Sequence, residues 1–144
     1  MRHAAENFCR VEFPAKSVNE SFARTLVSAF LAQYDPTINE LCDLKTAVSE
    51  AVTNAIVHGY KEAGGKVYIS IQAIGNRRIR ITVKDHGCGI PDIAQAMQPL
   101  FTTDTSGERG GMGFAVMQSF TDKLKVSSKP NKGTTVTMEK TLKG

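Results

Sequence analysis

Three residues at alternate positions, Asp85, Gly87 and Gly89, form the segment of this chain that is best suited to hold a ligand. They follow residues 78–84, where apolar and polar side chains alternate as in a half-buried strand. The glycines permit backbone angles and close approaches that a Cβ atom would prevent. The carboxylate can accept a hydrogen bond from an exocyclic amine such as that of adenine. Asp-x-Gly is also an ordinary turn sequence, so the segment alone leaves both interpretations open.

A second group of polar residues is spaced by four along the clearest predicted helix, residues 38–59. Glu50, Asn54 and His58 therefore fall on one face of that helix. Asn54 offers an amide oxygen, a hard ligand that suits Mg²⁺. Glu50, one turn away, can serve as a general base near the same ion, whereas His58 is interpreted as a helix-end cap or a packing residue. A solvated helix face would have the same spacing.

A cluster of glycines at positions 107, 110, 111 and 113 precedes the last predicted helix. The chain has no P-loop, because Gly65-Lys66 is followed by Val67. Backbone N–H groups of such a cluster, together with a helix N-terminus, can cradle phosphates, and Arg109 can add a positive charge. A flexible linker is the alternative. Gly133-Thr134-Thr135 begins the last strand, where a hydroxyl could contact a base, although an ordinary strand can start in this way too.

The elements that must position these residues are read from periodicity and turn signals. Strands are predicted at residues 7–13, 67–73, 78–84, 123–128 and 134–140, and helices at residues 17–33, 38–59, 92–97 and 112–120. Ser17 or Asn19 is expected to cap the first helix, with Glu20 three residues after Ser17 as in a capping box. Its buried side is predicted to carry Phe22, Leu26, Ala29 and Phe30.

Composition restricts the class of protein. The 144 residues, 41% hydrophobic and 22% charged, fit one domain spanning residues 1–144. There is no bilayer-length apolar run and no secretory signal near the N-terminus, so we expect a cytoplasmic protein without membrane contact. Cys9, Cys42 and Cys88 do not have zinc-site spacing. The net charge of +4 is dispersed along the chain, which argues against direct nucleic-acid binding.

Four elements now stand in order: Glu50-x-x-x-Asn54, Asp85-x-Gly87-x-Gly89, the glycine cluster, and Gly133-Thr134. Together they resemble the Bergerat-type (GHKL) ATP-binding fold shared by gyrase B, histidine kinases and MutL. Within that superfamily the segments 49–60, 99–103 and 111–114 are similar to those of the small bacterial anti-sigma serine kinases. Residues 19–24 resemble the first helix of those kinases that act on sigma F in sporulation. The implied fold is an α+β two-layer sandwich with a mixed, mostly antiparallel sheet and helices on one face.

The resemblance also implies the site. Asn54 would bind Mg²⁺ and Glu50 would be the catalytic base. Asp85 would accept the adenine amino hydrogen, Gly87 and Gly89 would belong to the same loop with Gly89 letting the base sit close, and Thr134 would assist adenine recognition. Residues 98–113 would form the ATP lid, with Gly111 and Gly113 against phosphates and Arg109 near the γ-phosphate. Asp104 departs from the family pattern, in which relatives often carry a lysine.

The function implied by the resemblance is that of a homodimeric anti-sigma factor and protein-serine kinase. It would sequester a sigma F-type sigma factor and phosphorylate an anti-anti-sigma protein on serine with Mg-ATP. Arg24, on the predicted polar side of the first helix, is a candidate partner contact, with a solvated arginine as the alternative. Two other functions remain open: a regulator that binds ATP without phosphoryl transfer, and another GHKL ATPase or a histidine-kinase-type domain.

Overall fold

A computed structural model describes residues 5–61, 63–97 and 113–143 as one sheet with helices packed against it. The strands are β1 (Asn7–Pro14), β2 (Lys66–Ala73), β3 (Arg78–Asp85), β4 (Lys123–Lys129) and β5 (Gly133–Thr141). The helices are α1 (Val18–Leu31), α2 (Ile38–Thr53), α3 (Ile93–Ala96) and α4 (Phe114–Phe120). A 3₁₀ turn (Ala32–Tyr34) follows α1, and a π-helical turn (Asn54–Gly59) follows α2.

The five strands form a single sheet in the order β1-β2-β3-β5-β4. All the described pairings are antiparallel, so the predicted α+β class is confirmed, while the parallel component of a mixed sheet is not found among the described strands. Alternation decides which face is covered. Along β2, Val67, Ile69 and Ile71 are buried beneath the helices, whereas Tyr68 and Ser70 lie on the other face.

Helix α1 begins at Val18, and two details of its prediction are wrong. The Ser17 side chain makes no capping hydrogen bond, because Ser17 itself has helical backbone angles. Glu20 instead accepts a hydrogen bond from the Thr53 hydroxyl on α2. The predicted buried side is also wrong in part: Phe30 is buried and Leu26 is half-buried, as expected, but Phe22 is 48% exposed and Ala29 is exposed. The buried residues are Ala23, Val27, Phe30 and Leu31. Phe22 stays near the core edge through an edge-to-face contact with Phe13 on β1.

Helix α2 is the central helix, and its start is fixed by a capping box. Thr37 Oγ1 accepts a hydrogen bond from the Glu40 amide at 3.1 Å, and Glu40 Oε1 accepts one from the Thr37 amide at 2.9 Å. The reciprocal bonds satisfy two amides that a helix terminus leaves without partners. The buried face comprises Leu44, Ala47, Val48, Ala51 and Val52. Burial of this stripe leaves Glu50 and Asn54 toward the edge of the helix layer.

The remaining predicted elements match closely where the structure describes them. The helix expected at residues 112–120 begins at Phe114, and the short helix expected at residues 92–97 is confined to Ile93–Ala96. The predicted lid, residues 98–113, lies outside the described residues except for Gly113. Within the described parts of the chain, no helix has the length and apolar character needed to cross a membrane.

The capping box gives the first prediction. Thr37→Ala removes the hydroxyl acceptor and should lower the free energy of unfolding by about 1 kcal/mol, measured by urea denaturation followed by circular dichroism. Ser17→Ala is the matched control, since the Ser17 side chain caps nothing, and should leave stability within about 0.5 kcal/mol of wild type. Equal losses in the two variants would contradict the assignment.

Candidate functional site

Asp85 lies at the end of β3, directly opposite Thr134 on β5. Both side chains are buried, with 6% and 8% of their surfaces exposed. Burial raises the pKa of the Asp85 carboxyl above its ordinary value, since desolvation disfavours the charged form. Backbone N–H groups of Gly87 and Thr134 hydrogen-bond the carboxylate and oppose this rise in pKa, the Gly87 bond being 2.8 Å long. Asp85 is thus a buried acceptor that the backbone holds in one orientation.

A cavity opens beside this carboxylate between α2, α4 and the sheet. Its lining comprises Ala51, Asn54, His58, Gly59, Val83, Asp85, Gly89, Ile90, Phe114, Thr134 and Val136. The lining combines five apolar side chains with four polar ones, Asn54, His58, Asp85 and Thr134, a combination found in sites that bind a flat organic ring. The structure therefore brings together Asn54, Asp85, Gly89 and Thr134, which the sequence places on three separate segments.

The loop after Asp85 is held from one side by the end of α2. The π-helical turn carries the chain to Gly59, whose carbonyl accepts a hydrogen bond from the Cys88 amide at 2.8 Å. The Tyr60 hydroxyl accepts a hydrogen bond from the His86 amide at 2.7 Å and donates one to the Lys66 carbonyl at 2.6 Å. These bonds fix the loop against the helix that carries Glu50 and Asn54.

From the other side the loop is held by the turn between β4 and β5. Ser128 Oγ accepts a hydrogen bond from the Ile90 amide at 2.8 Å, and the Asn131 amide donates to the Cys88 carbonyl at 2.6 Å. Gly89 has a φ of +78°, and a Cβ there would overlap the Lys129 carbonyl. Close packing against this turn is thus one reason for glycine at position 89.

Glu50 lies beside the start of α4. Gly113, the residue before Phe114, has a φ of +71°, and a Cβ added to it would overlap Glu50 Oε2. The glycine therefore lets the backbone pass directly against the carboxylate, which brings the predicted base next to the end of the predicted phosphate cradle. Of the other predicted cradle residues, Arg109 and Gly111 lie outside the described residues, and their roles stay predictions.

Asn54 is the predicted Mg²⁺ ligand, and its setting fits that role. It lines the cavity, and within the described ranges no three His, Cys, Asp or Glu side chains converge as a metal site. A single amide oxygen suits Mg²⁺, which keeps several waters and is commonly completed by substrate phosphates. His58 also lines the cavity, and its carbonyl accepts a hydrogen bond from the Cys88 thiol at 3.2 Å.

Arg24 faces α2 as well as solvent. Its guanidinium donates a 3.1 Å hydrogen bond to Ser49 Oγ, and the side chain is half-buried. With the Glu20–Thr53 contact, this bond ties α1 to the residues directly before Glu50 and Asn54. Arg24, the predicted partner contact, is therefore partly engaged within the protein and lies close to the helix residues of the site.

No role was predicted for Tyr60 or Ser128 from the sequence, although both hold the loop. For Ser128 a signal was present: it continues the alternation of Leu124 and Val126 and so belongs to the covered face of β4. The role of Tyr60 could not be predicted because its hydrogen-bond partners, Lys66 and His86, lie on other segments.

The buried carboxyl predicts a pH dependence of stability. Because its pKa is higher in the folded than in the unfolded state, the folded state loses stability as pH rises from the ordinary aspartate value through the raised one. Asp85→Asn removes this dependence. The difference in free energy of unfolding between the variant and wild type should therefore be small at low pH, increase with pH and then reach a plateau. Urea titrations of the nucleotide-free protein from acid to neutral pH measure it, with Glu12→Gln, an exposed carboxylate, as control. A gain independent of pH would contradict the prediction.

The chain resembles proteins of known type over most of its length. The model of the histidine kinase-like ATPase domain family matches residues 13–140. The anti-sigma F factor of Thermoanaerobacter sp. (strain X514) is 58% identical over 134 residues, 93% of each chain. The anti-sigma F factor of Clostridium perfringens (strain SM101 / Type A) is 55% identical over 137 residues, 95% of this chain and 98% of the relative.

Solved structures share the fold. The RsbU and RsbW domains of Rv1364c from Mycobacterium tuberculosis superpose with a TM-score of 0.70 at 20% identity over 94% of this chain, which spans 32% of that longer one. The catalytic domain of the histidine kinase ThkA superposes with a TM-score of 0.58 at 19% identity, covering 93% and 96% of the two chains. The family model and the relatives of high identity together identify the chain as a member of the histidine kinase-like ATPase domain family and, within it, of the anti-sigma F factors.

Proposed function

We propose that this anti-sigma factor is also a protein-serine kinase, which uses Mg-ATP to phosphorylate an anti-anti-sigma protein on serine. In the same proposal it sequesters a sigma F-type factor in the cytoplasm during sporulation. The observation that carries the proposal is the pairing of two half-sites. One is the cavity with the buried Asp85 acceptor, and the other is the Glu50 carboxylate against Gly113. A regulator that binds nucleotide without phosphoryl transfer requires the cavity but does not require the Glu50 carboxylate beside Gly113.

In the proposed complex the base of ATP occupies the cavity, with its amino group donating to Asp85. The apolar walls, including Val83, Ile90 and Phe114, exclude water from the base. The phosphates extend toward Asn54 and the start of α4. Mg²⁺ held by Asn54 and the phosphates would neutralise their charge and orient the γ-phosphoryl group.

Glu50 acts on the attacking group. The serine hydroxyl oxygen forms a bond to the γ-phosphorus while the bond to the β–γ bridging oxygen breaks, and ADP leaves. The hydroxyl proton passes to the Glu50 carboxylate, the general base. Phosphoryl transfer depends mainly on positioning and charge neutralisation, so one base on a rigid helix suffices. The capping box and buried stripe of α2 supply that rigidity.

The proposed assembly is a homodimer, and the outer elements offer surface for self-association. β1 is an edge strand whose Phe8 is 53% exposed, and α1 exposes Val18 and Phe22. Exposed large apolar side chains next to an edge strand are typical of contact surfaces.

Glu50→Gln tests the kinase. Transfer of labelled phosphate from γ-labelled ATP to the anti-anti-sigma protein of the same organism should fall by roughly 10²- to 10⁴-fold, because the amide cannot accept the serine proton. The dissociation constant for ATP should stay within about threefold of wild type. Glu12→Gln, on the exposed face of β1, is the matched control and should transfer at the wild-type rate.

The outcomes separate the possible functions. Acid-stable label on serine that depends on Glu50 supports the kinase. Undiminished transfer by Glu50→Gln would refute its role as base. ATP binding without transfer by wild type, in the presence of a folded partner, would indicate a regulator that binds nucleotide without phosphoryl transfer.

Arg24→Ala tests the partner contact. If the guanidinium docks against the sigma factor and the anti-anti-sigma protein, the variant should bind each at least about tenfold more weakly, measured by calorimetry with Mg-ATP or Mg-ADP present. Ser49→Ala is the matched control, since it removes the same internal hydrogen bond and keeps the charge. Equal losses in both variants would instead assign Arg24 to the packing of α1 on α2.

A further inference from the structure

The covered face of the sheet carries a row of three polar side chains across three neighbouring strands. Asp85 on β3 pairs with Thr134 on β5, and Thr134 pairs with Ser128 on β4. The next row toward the core is apolar, formed by Val83, Val136 and Val126 in the same registers. The polar row therefore lies where the sheet meets the cavity. Asp85 and Thr134 line that cavity, while Ser128 stands behind Thr134.

Ser128 makes three close polar contacts through one hydroxyl oxygen. The Ile90 amide lies 2.8 Å from Oγ, the Gly133 carbonyl oxygen 2.9 Å, and Thr134 Oγ1 2.9 Å. A serine hydroxyl has one proton to donate and two lone pairs to accept with. The number of contacts thus equals the full capacity of the group.

Only one arrangement of protons satisfies all three contacts as hydrogen bonds. The Ile90 N–H can only donate, and the Gly133 carbonyl can only accept, so Ser128 must give its single proton to Gly133. The remaining lone pair of Ser128 must then accept the proton of Thr134. Thr134 Oγ1 consequently has its proton directed away from the ligand and keeps only lone pairs for whatever occupies the cavity.

The Asp85–Thr134 pair at the sheet side of the cavity thereby presents only acceptors to a ligand. The Asp85 carboxylate accepts, and Thr134 accepts beside it. A purine with a 6-amino group supplies hydrogens to such a pair. A 6-oxopurine places a carbonyl oxygen there instead. Its N1–H can serve one of the two protein acceptors, but the other acceptor and the 6-oxygen are left as buried polar groups without partners, which is costly.

We propose that Ser128 is a positioning residue that sets purine specificity, by accepting the Thr134 proton and so holding Thr134 as an acceptor toward the 6-position of the base. This inference rests on the proposed ATP site. Ser128 does not line the cavity, so it acts through Thr134 and through no contact with the nucleotide.

The test compares ATP with ITP, which carries a 6-oxo group in place of the 6-amino group. Dissociation constants for both nucleotides are measured by calorimetry with Mg²⁺ on the whole chain. In Ser128→Ala, the Thr134 hydroxyl is free to rotate and donate to the 6-oxygen, so the ratio of the ITP constant to the ATP constant should fall roughly tenfold. Loosening of the loop at Ile90 would weaken the binding of both nucleotides equally, so this effect would cancel in the ratio.

Matched variants isolate the effect. Ser127→Ala, on the exposed face of the same strand, should keep the wild-type ratio, and Ser128→Thr, which retains a hydroxyl, should restore most of it. In a Thr134→Val background, Ser128→Ala should leave the ratio unchanged, because no hydroxyl remains to be oriented. If Ser128→Ala does not fold, Ser128→Cys, whose thiol is a weak hydrogen-bonding group, should shift the ratio in the same direction.

The outcomes distinguish this inference from the proposed function. If wild type binds neither nucleotide, the ATP site itself is wrong. If wild type prefers ATP and Ser128→Ala keeps the full preference, the site stands and the role of Ser128 is refuted. If Ser128→Ala changes the ITP/ATP ratio equally in the wild-type and Thr134→Val backgrounds, the inference is also overturned, because Ser128 would then act through the loop and not through Thr134.

Discussion

A carboxylate kept away from water is the constraint on which the rest of this structure depends. Removing Asp85 from solvent disfavours its charged form, and the hydrogen bonds from Gly87 and Thr134, with a smaller charge interaction from His86, oppose that cost. Both donors are backbone groups, so their positions depend on the path of the chain and not on flexible side chains. The loop after β3 and the start of β5 must therefore take one conformation, and the neighbouring elements are arranged to enforce it.

That enforcement comes from two directions. The end of α2 reaches the loop through Gly59 and Tyr60, and the β4–β5 turn reaches it through Ser128 and Asn131. A regular α-helix gives way to a π-helical turn at residues 54–59, where helix, loop and cavity meet. π-helical turns occur frequently at functional sites. Here the turn ends with the Gly59 carbonyl against the Cys88 amide, so the helix that carries Glu50 and Asn54 is joined directly to the loop that would read the base.

Much of the fold could be predicted because its signals are local. The strands alternate with period two, α2 has a strong apolar stripe, and Gly75-Asn76 and residues 131–133 mark the two hairpin turns that the structure contains. The first helix was less well predicted. Its buried face includes Phe30, as the sequence predicts, but Ala23, Val27 and Leu31 complete that face in place of Phe22 and Ala29. A large apolar side chain at the edge of a helix face can contact a neighbouring side chain and still be partly exposed, as Phe22 does with Phe13. Hydrophobic periodicity alone does not distinguish such a position from a fully buried one.

The sequence by itself determined the residue types of the site, their order along the chain and the family, because a carboxylate, an amide and glycines at fixed spacings are chemical facts of the chain. Only the tertiary structure decided which of them meet. Register places Asp85 opposite Thr134 and Ser128 beyond it, and close packing places Gly113 on Glu50. The pairings of Asp85 with Thr134 and of Gly113 with Glu50 join residues far apart in sequence, and no local propensity encodes them. The direction of the Thr134 hydroxyl proton is even less accessible from the sequence. It depends on the donors and acceptors that the loop at Ile90 and the start of β5 bring within 3 Å of Ser128 Oγ.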